Sequence, residues 1–125
     1  MEYNSHMLRR HTISFYHAFS GLFYALSTQP NFLVHIIFSC LAVIAGVLLS
    51  ISRLEWLIIV STITFGLIIE LVNTAIESAV DLITDHYHLD AKIAKDVAAS
   101  AMLVYAMGAV IIASIIFIPK LWPSI

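Results

Sequence analysis

Phe15, Phe19, Leu22 and Leu26 stand at i, i+4, i+7 and i+11, with Ser14, His17 and Ser20 interrupting the positions between them. That spacing predicts an amphipathic helix over about 11–27, suited to lying in a membrane interface rather than crossing it. Pro30, preceded by Gln29, breaks or bends the chain there, because proline lacks an N–H and clashes with the turn before it. Residues 11–52 contain no Lys, Arg, Asp or Glu, and neither do residues 97–118. A helical span needs about 20 apolar residues, so each run can supply one.

The expected fold is all-α and integral to the membrane: an N-terminal interfacial amphipathic helix plus three transmembrane helices, in one domain over residues 1–125. The spans are expected at about 32–51, 54–83 and 97–118. Ser52-Arg53-Leu54-Glu55 makes a short first loop, with Arg53 and Glu55 read as a loop ion pair. The second span is longer than a bilayer requires, so one end protrudes. Residues 84–95, with Asp85, His86, His88, Asp90, Lys92 and Lys95, form the polar connection to the third span, which Pro119, Lys120 and Pro123 end. Arg9 and Arg10 are not followed by a small-x-small cleavage pattern, so the whole chain is expected to be mature protein.

Composition strengthens this picture. Of 125 residues, 61% are hydrophobic and 11% charged, with a mean hydropathy of +0.96, outside the range of water-soluble domains. Eight acids against six bases give a net charge of −2, which excludes nucleic acid as a partner. Cys40 lies alone in an apolar run and reads as a packed thiol. Arg9, Arg10, Lys92 and Lys95 share one side of this topology and Arg53 and Lys120 the other, so the N-terminus is expected in the cytoplasm and the chain in the inner (cytoplasmic) membrane. Trp56 and Trp122 then both mark the outer interface.

The second span carries the chemistry. At about 100° per residue, Glu70, Asn73, Glu77 and Asp81 fall near 0°, −60°, −20° and +20°, so all four share one face, and they climb roughly 16 Å along the axis. Acids at membrane depth are costly and mark a functional path or site. As interhelical glue alone the stripe costs too much, since hydrogen bonds across membrane helices return only about 1 kcal/mol per contact. The residues alone also allow a small ion- or proton-conducting oligomer with Glu70 and Glu77 lining a wet path, or a purely structural subunit. Lys95-Asp96 beside Asp81 argues against a channel mouth. His86 and His88, flanked by Asp85 and Asp90, are open to a metal-cluster reading, although i, i+2 spacing in a loop favours solvated residues. His35 reads as a helix-end or interface histidine, and Gly46, Gly66 and Gly108 as points of close helix packing. No Walker-type phosphate loop is present.

The run Glu70-x-x-Asn73-Thr74-Ala75-Ile76-Glu77-x-x-x-Asp81, followed by His88-Leu89-Asp90-Ala91-Lys92-Ile93-Ala94-Lys95-Asp96-Val97-Ala98-Ala99, resembles the signature of the prokaryotic diacylglycerol and undecaprenol kinases. The resemblance extends over nearly the whole chain. It implies a homotrimeric three-span kinase that moves the γ-phosphoryl group of ATP, with Mg²⁺, to the hydroxyl of a membrane lipid, either undecaprenol or diacylglycerol. It further implies Glu70 as general base on that hydroxyl, Asn73 as the residue holding the reacting groups, and Glu77 as a Mg²⁺ ligand. Asp81, Lys95 and Asp96 would complete the nucleotide site, with Arg10, His17, His86, Tyr87 and His88 nearby. The chain departs from the family pattern at Gln29, where a Glu usually serves as second metal ligand, at Leu33, where a basic residue is usual, and at His17, where an aromatic is common. A Gln oxygen can ligate Mg²⁺ without neutralising it, so a catalytically weakened paralogue is the alternative within the family.

Overall fold

The computed structural model describes the backbone of residues 2–122 and the side chains of residues 13–122. Among them the chain forms four helices and no strand: α1 (Glu2–Thr28), α2 (Pro30–Leu48), α3 (Arg53–Ile83) and α4 (Leu89–Leu121). The last three are long and apolar enough to cross a membrane. The break after α1 is a single residue. Gln29 takes extended angles (φ −104°, ψ 108°) and Pro30 opens α2, where its missing N–H costs nothing because first-turn donors have no helical acceptor.

The reversal between α2 and α3 is built from the backbone. Ser50 N donates to Val47 O and Ile51 N to Gly46 O, the paired bonds of a Schellman cap, and Ser50 adopts the left-handed φ of 48° that this cap requires. Ser52 then caps α3. Its hydroxyl accepts from Glu55 N while Glu55 Oε2 accepts from Ser52 N at 2.6 Å, a reciprocal capping box. Glu55 is therefore not the partner of Arg53 expected from their adjacency in sequence. It belongs to the first turn of α3 and pairs instead with Lys120 of α4, at 3.2 Å.

Helix α4 starts at Leu89, earlier than its apolar run. Its first two turns are polar, so hydropathy does not mark them. Local contacts do: His88 Nδ1 accepts from Asp90 N, Asp90 sits in the first turn where the helix dipole favours an acid, and Lys92 pairs with Asp96 at i, i+4. Pro119 does not end the helix, which continues to Leu121.

Helices α3 and α4 run antiparallel and form the most extensive helix pair. Three ties hold them at successive levels: Lys120 to Glu55 at one end, the Tyr105 hydroxyl to the Thr62 carbonyl in the middle, and Lys95 to Asp81 at the other end. Gly66 admits the middle tie, because a Cβ there would collide with the Tyr105 phenol. An apolar cluster of Ile51, Ile59 and Ile116, with Trp56 and Phe117 against it, closes the Lys120 end. Elsewhere the apolar runs face outward, and only 11% of the apolar windows of α2 and α4 is buried within the chain. Such surfaces are stable against lipid or against further protein, not against water. The chain is a membrane protein.

Candidate active site

Helix α3 brings its acidic stripe inward. Glu70 is 1% exposed, Asn73 5% and Thr74 6%, the three buried polar residues among those described. Glu77 is half-buried and Asp81 exposed, so the stripe runs from the protein interior to its surface. The regular 3.6-residue repeat sets this order, since no kink or proline interrupts α3.

Two buried oxygens in this stripe have no partner. The amide Nδ2 of Asn73 donates to Glu77 Oε1 at 2.9 Å, which turns the Asn73 carbonyl Oδ1 away from Glu77 and leaves it unpaired. The hydroxyl of Thr74 is likewise buried and unpaired. Buried polar atoms are normally satisfied, so the unpaired Asn73 carbonyl oxygen is a candidate ligand position. Oxygen donors of this kind suit Mg²⁺, which keeps several waters and takes its remaining ligands from one or two carboxylates and substrate phosphates.

Glu70 lies at the polar end of a cavity of about 630 Å³ between α2, α3 and α4. Asn31, His35 and Tyr105 share that end. The remainder is apolar, with Ala42, Ala45, Ala106 and Ala109 interspersed among larger side chains such as Phe38, Leu41, Met102 and Phe117. His35, read from sequence as an interface histidine, instead faces this cavity, with its ring 6.1 Å from that of Tyr105. A larger groove of about 920 Å³ on another side of the α3–α4 pair has no carboxylate in its lining.

The remaining candidates lie toward the Asp81 end. Lys95 Nζ is bonded to Asp81 Oδ1 at 2.5 Å and Lys92 Nζ to Asp96 Oδ2 at 2.5 Å, so Asp81 and Lys95 are joined while Asp96 has its own partner. His86, Tyr87 and His88 are exposed in the connection between α3 and α4. His86 approaches Asp85 at 3.5 Å and His88 approaches Asp90 at 3.9 Å. No group of three or more His, Cys, Asp and Glu gathers to hold a metal among the described residues. Gln29 is half-buried at the α1–α2 junction and makes no side-chain capping bond. His17 is exposed on α1 with its ring edge-on to Tyr16. The Arg10 side chain lies outside the described residues.

The model of the family described as prokaryotic diacylglycerol kinase matches residues 16–117. The chain belongs to that family. Within it, the chain is 46% identical over 114 residues to the undecaprenol kinase of Bacillus subtilis (strain 168), covering 91% of this chain and 93% of that protein. It is 40% identical over 110 residues to the diacylglycerol kinase of Synechocystis sp., covering 87% and 63% respectively. Against the diacylglycerol kinase of Helicobacter pylori (strain J99) the identity is 33% over 84 residues, covering 67% of this chain and 66% of that protein. As a member of this membrane-bound kinase family the chain is a lipid kinase, with ATP as phosphoryl donor.

Tyr105 escaped the sequence reading. A signal for it existed: a tyrosine in the middle of an apolar span must find a partner for its hydroxyl, and Gly66 offered the close approach. Thr74 gave no such signal, because a threonine in a helix ordinarily satisfies its hydroxyl on its own backbone.

Proposed function

We propose that this lipid kinase phosphorylates undecaprenol in the cytoplasmic membrane, with its N-terminus in the cytoplasm, as a single catalytic membrane domain that works in a homotrimer. The observation that carries the catalytic part is the burial of Glu70 at the head of an apolar cavity, next to a stripe that leads to the surface. The acceptor preference rests on likeness to the Bacillus undecaprenol kinase over nearly the full length of both chains.

In this reading the lipid hydroxyl enters from the apolar part of the cavity and Glu70 accepts its proton. The freed oxygen forms a bond to the γ-phosphorus of ATP as the bond from that phosphorus to the departing ADP oxygen breaks. Glu77, held in orientation by the Asn73 amide, is the protein carboxylate for Mg²⁺, with Asn73 Oδ1 and Gln29 as neutral oxygen donors. Bound Mg²⁺ supplies neutralisation of phosphate charge. Lys95 faces phosphate after leaving Asp81, and Asp81, Asp96, His17, Arg10, His86, Tyr87 and His88 surround the nucleotide. Arg9, Arg10, Lys92 and Lys95 at one end, against Arg53 and Lys120 at the other, support the cytoplasmic placement of the first end.

The test is ATP-dependent labelling in detergent micelles with Mg²⁺, offering undecaprenol and diacylglycerol in parallel, beside Glu70→Gln. Label on undecaprenol that disappears in the variant supports the reading. Label on diacylglycerol alone overturns the acceptor, and undiminished turnover in Glu70→Gln overturns the base.

A further inference from the structure

Tyr105 is pinned rather than free. Its hydroxyl donates to the Thr62 carbonyl at 2.6 Å, and its ring fills the space that a side chain at position 66 would take. Its hydrogen is thereby committed to the backbone, so what it offers the cavity is a ring surface. The ring of His35, on α2, stands 6.1 Å away with the planes inclined at 53°, within the range of contacting aromatic pairs. Both rings line the cavity, one from α4 and one from α2, as an aromatic shelf in its wall.

The height of this shelf is set by the helix. Gly66 precedes Glu70 by one turn, about 6 Å, on the same face of α3. Side chains lean toward the N-terminus of their helix, so the Glu70 side chain leans toward the Gly66 turn and the shelf. An alcohol whose oxygen reaches Glu70 therefore lays its first few carbons along the rings of Tyr105 and His35. Beyond that level the cavity stays apolar, lined by Ala42, Ala45, Ala106 and Ala109 together with larger residues such as Phe38 and Phe117, a surface suited to the rest of the chain.

We propose that Tyr105 is a specificity-determining residue whose ring, seated on Gly66, receives the flat first isoprene unit of an allylic polyprenol and so selects an alcohol with a double bond next to its carbinol carbon. This rests on the reading of Glu70 as the group that receives the hydroxyl. The planar alkene of an allylic alcohol lies against a ring face with full contact, whereas a saturated first unit is puckered and touches it at fewer points.

The experiment compares kcat/KM on two acceptors of equal chain length, a polyprenol with an allylic first unit and its counterpart with that unit saturated, using the full chain in detergent micelles with ATP and Mg²⁺. The wild type is expected to favour the allylic alcohol by roughly three- to tenfold, mostly through KM. Tyr105→Phe keeps the ring and the preference. Tyr105→Leu, similar in bulk but without a flat face, brings the ratio close to one. A ratio formed within one variant is insensitive to general damage, and if Tyr105→Leu does not fold, Gly66→Ala, which displaces the ring from α3, carries the same comparison. A wild-type ratio near one, or a ratio unchanged in both Tyr105→Leu and Gly66→Ala, overturns the proposal. Glu70→Gln in the same assay separates the two readings: an unchanged ratio beside an inactive Glu70→Gln overturns the shelf and leaves the base intact.

Discussion

Asn73 and Glu77 lie one turn apart on α3, and the amide nitrogen of the first holds the carboxylate of the second at 2.9 Å. The hydrogen bond fixes which carboxylate oxygen remains free and leaves Asn73 Oδ1 pointing away from it, without a partner. Removing the amide frees Glu77 to rotate, and groups that orient a metal ligand are typically worth 10- to 100-fold in affinity or activity. Asn73→Ala is expected to raise the Mg²⁺ concentration for half-maximal rate by roughly tenfold or more. A rate titrated against Mg²⁺ checks this, and an unaltered midpoint would remove Asn73 from the proposed metal site.

Gln29 tests the same site from the neighbouring helix junction. In the proposed site Gln29 is a neutral Mg²⁺ donor, so Gln29→Glu would supply a charged one and the Mg²⁺ midpoint should fall. If it does not move, Gln29 lies outside the metal's coordination and its departure from the family pattern has no catalytic consequence.

Gly66 and Tyr105 make a structural prediction that needs no substrate. Gly66→Ala places a methyl group where the Tyr105 phenol sits and separates α3 from α4 at mid-membrane. Overpacking of this kind costs about 1–3 kcal/mol, which thermal unfolding in detergent would register as a clear drop in Tm. The double variant Gly66→Ala with Tyr105→Leu should recover part of that loss, because leucine lacks the phenol that collides.

Ser50 offers the opposite change. Its φ of 48° costs a residue with a Cβ about 1 kcal/mol, which glycine avoids. Ser50→Gly should raise Tm modestly at unchanged kcat, and a decrease would mean that the serine side chain contributes more than the backbone strain removes.

Lys95 and Asp81 distinguish packing from nucleotide binding. Both are substantially solvent-accessible, and exposed pairs contribute about 0–1 kcal/mol. Lys95→Ala should leave Tm nearly unchanged while raising KM for ATP severalfold. A fall in Tm at constant KM would assign the pair to the α3–α4 tie alone.

Much of this protein was legible in its sequence because membrane helices obey a one-dimensional rule. A run of apolar residues long enough to cross a bilayer satisfies its own backbone hydrogen bonds locally, so hydropathy alone located α2, α3 and the apolar part of α4. The helical repeat likewise puts Glu70, Asn73, Glu77 and Asp81 on one face from their spacing alone. Where polar residues extended a helix, hydropathy was silent: the first two turns of α4 are fixed by the His88 cap and the Lys92–Asp96 pair. Side-chain partnership across helices was not legible at all. Glu55 chose Lys120 over Arg53, His35 turned into the cavity, and Tyr105 found Thr62 and Gly66, residues some forty positions away. Those choices depend on the separation and rotation of α2, α3 and α4, which follow from close packing around small residues and not from any local pattern. The sequence by itself determined the spans and the acidic face of α3; only the tertiary structure decided that Glu70 of this face opens onto an apolar cavity and which rings line it.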